Sequence, residues 1–244
     1  MHLGRLASSL CLVPLGFAGL SLAGWSTGNL GLASFLSGGK AMAPLSALAF
    51  GVLGLGLFLE SFIRGKSGRI LALTTAVLGL ACSLVAFRDL ASSGPFVQVS
   101  LIPSSLAPSL AWPNDGRTSL LTAACLALVA LSLLLQAWGG AVPRATAGSI
   151  LGLGVALGGL ATLVGFLDGQ PLLQGAISLP SGFCLLFLGS AACLGAGARA
   201  WPVRLFIGPA IEARMLRAVL PLTALISLGV SAFLGLGSGL APGL

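Results

Sequence analysis

Histidine is almost missing from this chain, and its scarcity excludes whole classes of chemistry. His2 is the only one among 244 residues and sits at the chain start. Paired-histidine ligation of haem, histidine metal clusters and a Ser-His-Asp triad are therefore ruled out, and catalysis loses its commonest general base. Acids are nearly as rare: Glu60, Asp89, Asp115, Asp168 and Glu212 are the full set, and each maps to a loop or to the end of an apolar run. Proton pumps and ion-coupled carriers need ionisable groups near mid-membrane, and none is found there. Lysine occurs only at Lys40 and Lys66, both in loops, so no lysine is placed for a retinal Schiff base.

Paired cysteines are lacking too. Cys11, Cys82, Cys125, Cys184 and Cys193 all fall inside apolar runs, and no two form a CxxC pair; they read as small buried hydrophobes. The 36 glycines produce GxGxxG-like spacings, but without the strand-to-helix setting that a nucleotide site needs. The alternation expected of barrel strands is absent as well. No enzyme, cofactor or metal site is expected.

What is present is hydrocarbon. Hydrophobic residues make up 57% of the chain, charged residues 7%, and mean hydropathy is +1.08, values that belong to membrane proteins. In a bilayer every backbone amide needs an internal partner, so long apolar runs must be helices. Seven stretches approach the roughly 20 residues needed to cross about 30 Å of hydrocarbon: Leu6 to Trp25, Ala43 to Phe62, Ile70 to Phe87, Ser119 to Trp138, Ala145 to Leu167, Ser181 to Ala198 and Ala218 to Leu236. The first also fits a signal peptide, with Arg5 as basic start and Ser21-Leu22-Ala23 as cleavage site, but its apolar stretch is longer than usual. The expected fold is all-α: a polytopic transmembrane helical bundle of about seven spans with long outer loops, one integral-membrane domain over 1–244.

The formal net charge of +7 sits between the apolar runs and forms no basic aromatic face, so nucleic-acid binding is not expected. With the N-terminus inside, Arg5, Arg64, Lys66, Arg69, Arg144, Arg199, Arg204, Arg214 and Arg217 are cytoplasmic. Lys40, Arg88 and Arg117 are outside. Nine basic residues against three place the N-terminus in the cytoplasm and, for seven spans, the C-terminus outside. Arg199, Arg204, Arg214 and Arg217 line the last inner connection, where they serve as topology signals and as contacts for anionic headgroups or a partner. Glu212 beside Arg214 fits a short interfacial helix there.

The outer connection from Arg88 to Arg117 is the most distinctive. Val97, Val99 and Leu101 alternate with polar residues, Pro103, Pro108 and Pro113 break any helix, and Leu106, Leu110 and Trp112 stay apolar. Leu32, Phe35 and Leu36 in the first outer loop read as a short amphipathic piece. Phe96, Leu106 and Trp112, with Pro171 and Leu172 of a later outer turn, are candidates to line an apolar cleft for an apolar or amphiphilic ligand.

Two patterns repeat. Met42-Ala43-Pro44-Leu45-Ser46-Ala47-Leu48 can be laid over Thr118-Ser119-Leu120-Leu121-Thr122-Ala123-Ala124 and over Ile177-Ser178-Leu179-Pro180-Ser181-Gly182-Phe183. Ser46, Thr122 and Ser181 coincide near the starts of the even-numbered spans, each followed by a small residue. Such hydroxyls suit helix capping and the small neighbours suit close helix approach, although chance similarity among apolar helices is the alternative. In the fifth span Gly148, Gly152 and Gly159 form one stripe and Gly154 and Gly158 another, a pattern read as an intrachain packing face.

The stretch Gln170-Pro171-Leu172-Leu173-Gln174-Gly175, followed by Pro180, Trp201-Pro202-Val203-Arg204-Leu205-Phe206, Glu212-Ala213-Arg214-Met215-Leu216-Arg217 and Pro221, resembles the multi-span N-terminal sensory region of bacterial PAS, histidine-kinase and diguanylate-cyclase signalling proteins. Met42-Ala43-Pro44 with Ser46-Ala47-Leu48 is similar to another recurrent segment of those regions. The resemblance implies an outer turn at Pro171, Leu172, Leu173 and Gly175, and a seventh-span start at Arg214, Leu216, Arg217 and Pro221. Gln174 replaces the aromatic residue such a turn carries. An eighth span and a cytoplasmic effector are implied as well, yet Gly235 to Leu244 reads as a glycine-rich tail. The expected function is therefore a non-catalytic membrane sensory module whose effector is separate or absent; the alternative is a structural or accessory subunit of a larger membrane complex. Membrane lipids, an apolar ligand, and effector or complex subunits are the expected partners.

Overall fold

The computed structural model of the chain describes residues 2–34, 40–63, 65–91, 118–138, 142–167 and 177–207. Apolar composition and the need to satisfy backbone amides lead to helices throughout, and among the described residues there is no strand. The helices are α1 (His2–Thr27), α2 (Leu30–Ser34), α3 (Pro44–Phe62), α4 (Lys66–Ala91), α5 (Leu120–Ala137), α6 (Val142–Leu167), α7 (Leu179–Gly195) and α8 (Val203–Ile207). Five of them, α1, α3, α4, α5 and α6, are long and apolar enough to cross a membrane.

The sixth expected span is α7, which has 17 residues and rises about 26 Å at 1.5 Å per residue. Leu179-Pro180 opens it earlier than hydropathy implied, and Gly197, at φ +86, follows its end in the left-handed conformation that glycine tolerates. The seventh expected span, 218–236, lies outside the described residues. So do the outer segment 92–117 and the turn at 170–175. Of the short amphipathic piece expected in the first outer loop, Leu32 lies in the single helical turn α2 and is exposed, whereas Phe35 and Leu36 lie outside the described residues.

The long helices form a closed ring. α1 packs on α3 and α7, α4 lies between α3 and α5, and α6 lies between α5 and α7. In addition α3, α5 and α7 touch one another across the middle. The even-numbered spans are therefore central, and the odd-numbered ones fill the gaps between them.

The sequence repeat maps onto this arrangement. Carried onward from Ser46, Thr122 and Ser181, the same register aligns Phe50 with Leu126 and Leu185, then Leu53 with Val129 and Leu188, then Leu57 with Leu133 and Ala192. All nine are buried in one apolar cluster. Steps of three and four residues keep each set on one helical face, so the central helices present equivalent stripes to a shared core. The flanking helices turn Leu12 and Leu20 of α1, Ile70, Val77 and Leu84 of α4, and Ile150 and Leu157 of α6 outward. α3 and α5 leave Leu55, Leu128 and Leu131 exposed as well.

Small residues set the helix separations. A methyl group built on Gly152 would lie 2.7 Å from the backbone nitrogen of Cys193, and one on Gly189 would lie 2.5 Å from that of Ala156. Gly159 meets the backbone of Leu186 just as closely. The stripe of α6 thus packs backbone to backbone on α7, with Gly148 instead facing Ser132 and Gln136 of α5. The second stripe does no such packing: Gly154 has nothing within 4 Å, and Gly158 meets only Cys125 Sγ at 3.9 Å.

Candidate functional site

Because α3, α5 and α7 run in the same direction, their N-termini meet at one end of the bundle. α3 starts after Ala43 with Pro44 in its first turn, α5 after Ser119, and α7 after Ser178 with Pro180 in its first turn. Met42, Thr118 and Ile177, which precede these caps, are all buried. The third helical residue of each is the hydroxyl of the repeat, Ser46, Thr122 and Ser181, and each is buried to within 3% exposure. All three line a single small recess with about 10 Å³ of room for a water-sized group behind its open mouth.

The hydroxyls bond mainly to one another. Ser46 Oγ donates to Thr118 Oγ1 at 3.0 Å, Ser119 Oγ lies 2.8 Å from Thr122 Oγ1, and Ser178 Oγ lies 2.8 Å from Ser181 Oγ. Capping is narrower than the sequence implied. Only at α5 does a side chain cap the helix, where Ser119 Oγ accepts from the Thr122 amide at 3.1 Å; α3 and α7 have no side-chain cap. Ala43 has no side-chain acceptor, and Pro180, second in α7, lacks an amide that Ser178 would otherwise serve.

Electrostatically the recess favours electron-rich groups. Each helix N-terminus carries roughly half a positive charge in its unsatisfied amides, three of them converge, and Lys40 stands on the rim. The nearest apolar wall is Ala41, Ala43 and Ile177. This mouth is polar, in contrast to the apolar cleft expected from the outer loops; Phe96, Leu106, Trp112, Pro171 and Leu172 lie outside the described residues.

The opposite end is basic. Arg199 and Arg204 are exposed on either side of the turn after α7, and Arg144 is exposed at the start of α6. Arg214 and Arg217 lie outside the described residues. Beneath these arginines is a polar cluster that hydropathy does not flag. Ser132 Oγ donates to Gly148 O at 2.7 Å, Gln136 Nε2 donates to Ser132 Oγ and to Ala192 O, both at 2.9 Å, and Ser149 Oγ donates to Cys193 O at 3.1 Å. These bonds tie α5, α6 and α7 together where lipid offers little hydrophobic force. The recess end is fastened to α1 in a similar manner: Trp25 Nε1 donates to Met42 O at 2.7 Å, and Ser21 Oγ to the same oxygen at 3.3 Å.

Sequence reading missed Lys40, Thr118, Ser119 and Ser178 as recess residues, and Gln136 altogether. The first four carry a signal, since they sit beside or within the repeated heptapeptides. Gln136, a lone amide near a span end, carries none. No family model matches the chain, and neither curated proteins nor solved structures yield a match.

Proposed function

We propose that this chain is a non-catalytic membrane input module of a bacterial signalling system. It lies in the inner membrane with its N-terminus in the cytoplasm, receives a ligand at the outer-facing hydroxyl recess, and passes the change to a separate effector. The observation that carries this reading is the convergence of all three central helices on one recess. A molecule bridging Ser46, Thr122 and Ser181 acts at once on the helices that hold the core, and packed cores respond to small shifts by switching between arrangements rather than by deforming continuously. A ligand gains leverage only through its different affinity for those arrangements.

The hydroxyls and converging helix N-termini favour a ligand with a hydrogen-bond-accepting head, and the sequence's candidates to meet its apolar body are Phe96, Leu106, Trp112, Pro171 and Leu172 of the outer loops. Purification of the full chain in mild detergent, followed by native mass spectrometry, tests this. The wild type should retain a small amphiphile, and Thr122→Val with Ser46→Ala should reduce its retention severalfold while the chain stays folded. Unchanged retention in that variant would place the ligand elsewhere. A chain that carries no small molecule but co-purifies stoichiometrically with redox or pigment subunits would favour the structural-subunit reading instead.

A further inference from the structure

The turn between α7 and α8 is fixed in an unusual manner for a segment so rich in exposed polar and aromatic groups. Gly197 N bonds to Leu194 O, Ala200 N to Gly197 O, and Arg204 N to Ala200 O at 2.8 to 3.1 Å, so the chain folds back compactly into α8. Ala200, Pro202 and Val203 are buried. The Trp201 amide donates to Thr146 Oγ1 at 3.4 Å, which joins the turn to α6. Inward anchors thus alternate with outward residues, and Arg199, Trp201, Arg204 and Leu205 are held at the surface. Arg144 is two residues from Thr146, and Trp138, 74% exposed, closes α5, whose Gln136 bonds to α7. Three arginines and two tryptophans therefore share one end of three neighbouring helices.

None of Arg144, Arg199 and Arg204 makes an ion pair among the described residues. The one acid at this end among those residues, Glu60, lies on α3 within electrostatic reach of Arg69. Arginine presents a planar fork of donors that matches phosphate oxygens, and exposed tryptophan rings are favoured at the headgroup level of a bilayer. Exposed Arg144, Arg199 and Arg204 at the same bundle end as outward Trp138, Trp201 and Leu205 fit a phosphodiester below a hydrocarbon layer better than the face of a soluble acidic protein.

We propose that the surface formed by Arg144, Arg199 and Arg204, with Trp138 and Trp201, is a binding site for the headgroup of an anionic phospholipid. This site is independent of the outer recess, and its failure leaves the input-module reading standing. The test places the purified full chain in nanodiscs containing phosphatidylglycerol and phosphatidylcholine and measures, by native mass spectrometry, the ratio of the two lipids retained. The wild type should prefer phosphatidylglycerol. Changing all three arginines to glutamine should lower that ratio roughly tenfold or more, and Arg88→Gln at the opposite end should leave it unchanged. Raised salt should weaken the preference in the wild type by screening, which keeps the test decisive if the triple variant fails to fold. Equal retention of both lipids by the wild type, or an unaltered ratio in a folded triple variant, overturns the proposal. So does displacement of phosphatidylglycerol by inorganic phosphate, which would assign the site to the free anion, or loss of lipid preference with capture of an acidic protein in its place.

Discussion

Gly152 and Gly154 stand two residues apart on α6, and a side chain at each would meet opposite surroundings. At Gly152 even a methyl group falls 2.7 Å from the Cys193 nitrogen, whereas at Gly154 nothing lies within 4 Å. Replacement of Gly152 by leucine should therefore push α6 from α7 and destabilise the chain by about 1 to 3 kcal/mol or more, the usual cost of overpacking. Gly154→Leu should be mild, since it adds apolar surface at an open site. Thermal unfolding of the two variants in detergent checks this, and equal midpoints would show that the close α6 to α7 contact does not hold the bundle. That glycines pack this span was legible in the GxxxG spacing. Which of the two stripes packs was not, because spacing fixes the angle between stripes but not the rotation of the helix against its neighbours.

At the level of elements, the central position of α3, α5 and α7 carries a sharper consequence than their hydropathy. Leu126 and Leu185 occupy equivalent places in the repeat, both are buried to about 1%, and both belong to the same cluster. Each changed to alanine should cost a similar amount, about 2 to 5 kcal/mol for a buried leucine. Val77→Ala on flanking α4, where the side chain is 57% exposed, should stay within about 0.5 kcal/mol. Denaturant titration of the three variants in one detergent would decide. A large cost at Leu126 with a small one at Leu185 would break the equivalence of the central helices. Six of the seven expected spans coincide with helices among the described residues, because a hydrophobic run of that length leaves the backbone no other choice. The repeat was legible too, as three aligned heptapeptides. Their meeting at one recess was not, since a hydropathy pattern states that a helix is buried without stating beside which other helix. For the same reason Gln136 escaped notice: it acquires meaning from Ala192, a neighbour distant in sequence.

For the whole molecule, the two ends of the ring differ in charge, and the bilayer reads that difference. Among the described residues Arg5, Lys66, Arg69, Arg144, Arg199 and Arg204 gather at the end where α3, α5 and α7 finish, while only Lys40 and Arg88 lie toward the hydroxyl end. Basic residues near span ends are retained in the cytoplasm during insertion, so the basic end should face inward and the recess outward. Cysteine accessibility measures this directly. The five native cysteines lie within helices and four are buried, so a cysteine-free background requires changes only inside the bundle. Ser67 is exposed at the start of α4 and Ser26 is exposed near the end of α1, which places one probe at each end. Ser67→Cys should react only once a reagent reaches the cytoplasm. Ser26→Cys, like Ser104→Cys in the outer segment, should react with an impermeant reagent added outside. The reverse pattern would invert the molecule and turn the recess toward the cytoplasm, where an extracellular amphiphile could not serve as its ligand. It would also turn the arginine surface toward the outer leaflet. Labelling therefore separates the two sites: an inverted result removes the outer-ligand reading, while the phospholipid preference stands or falls on its own measurement.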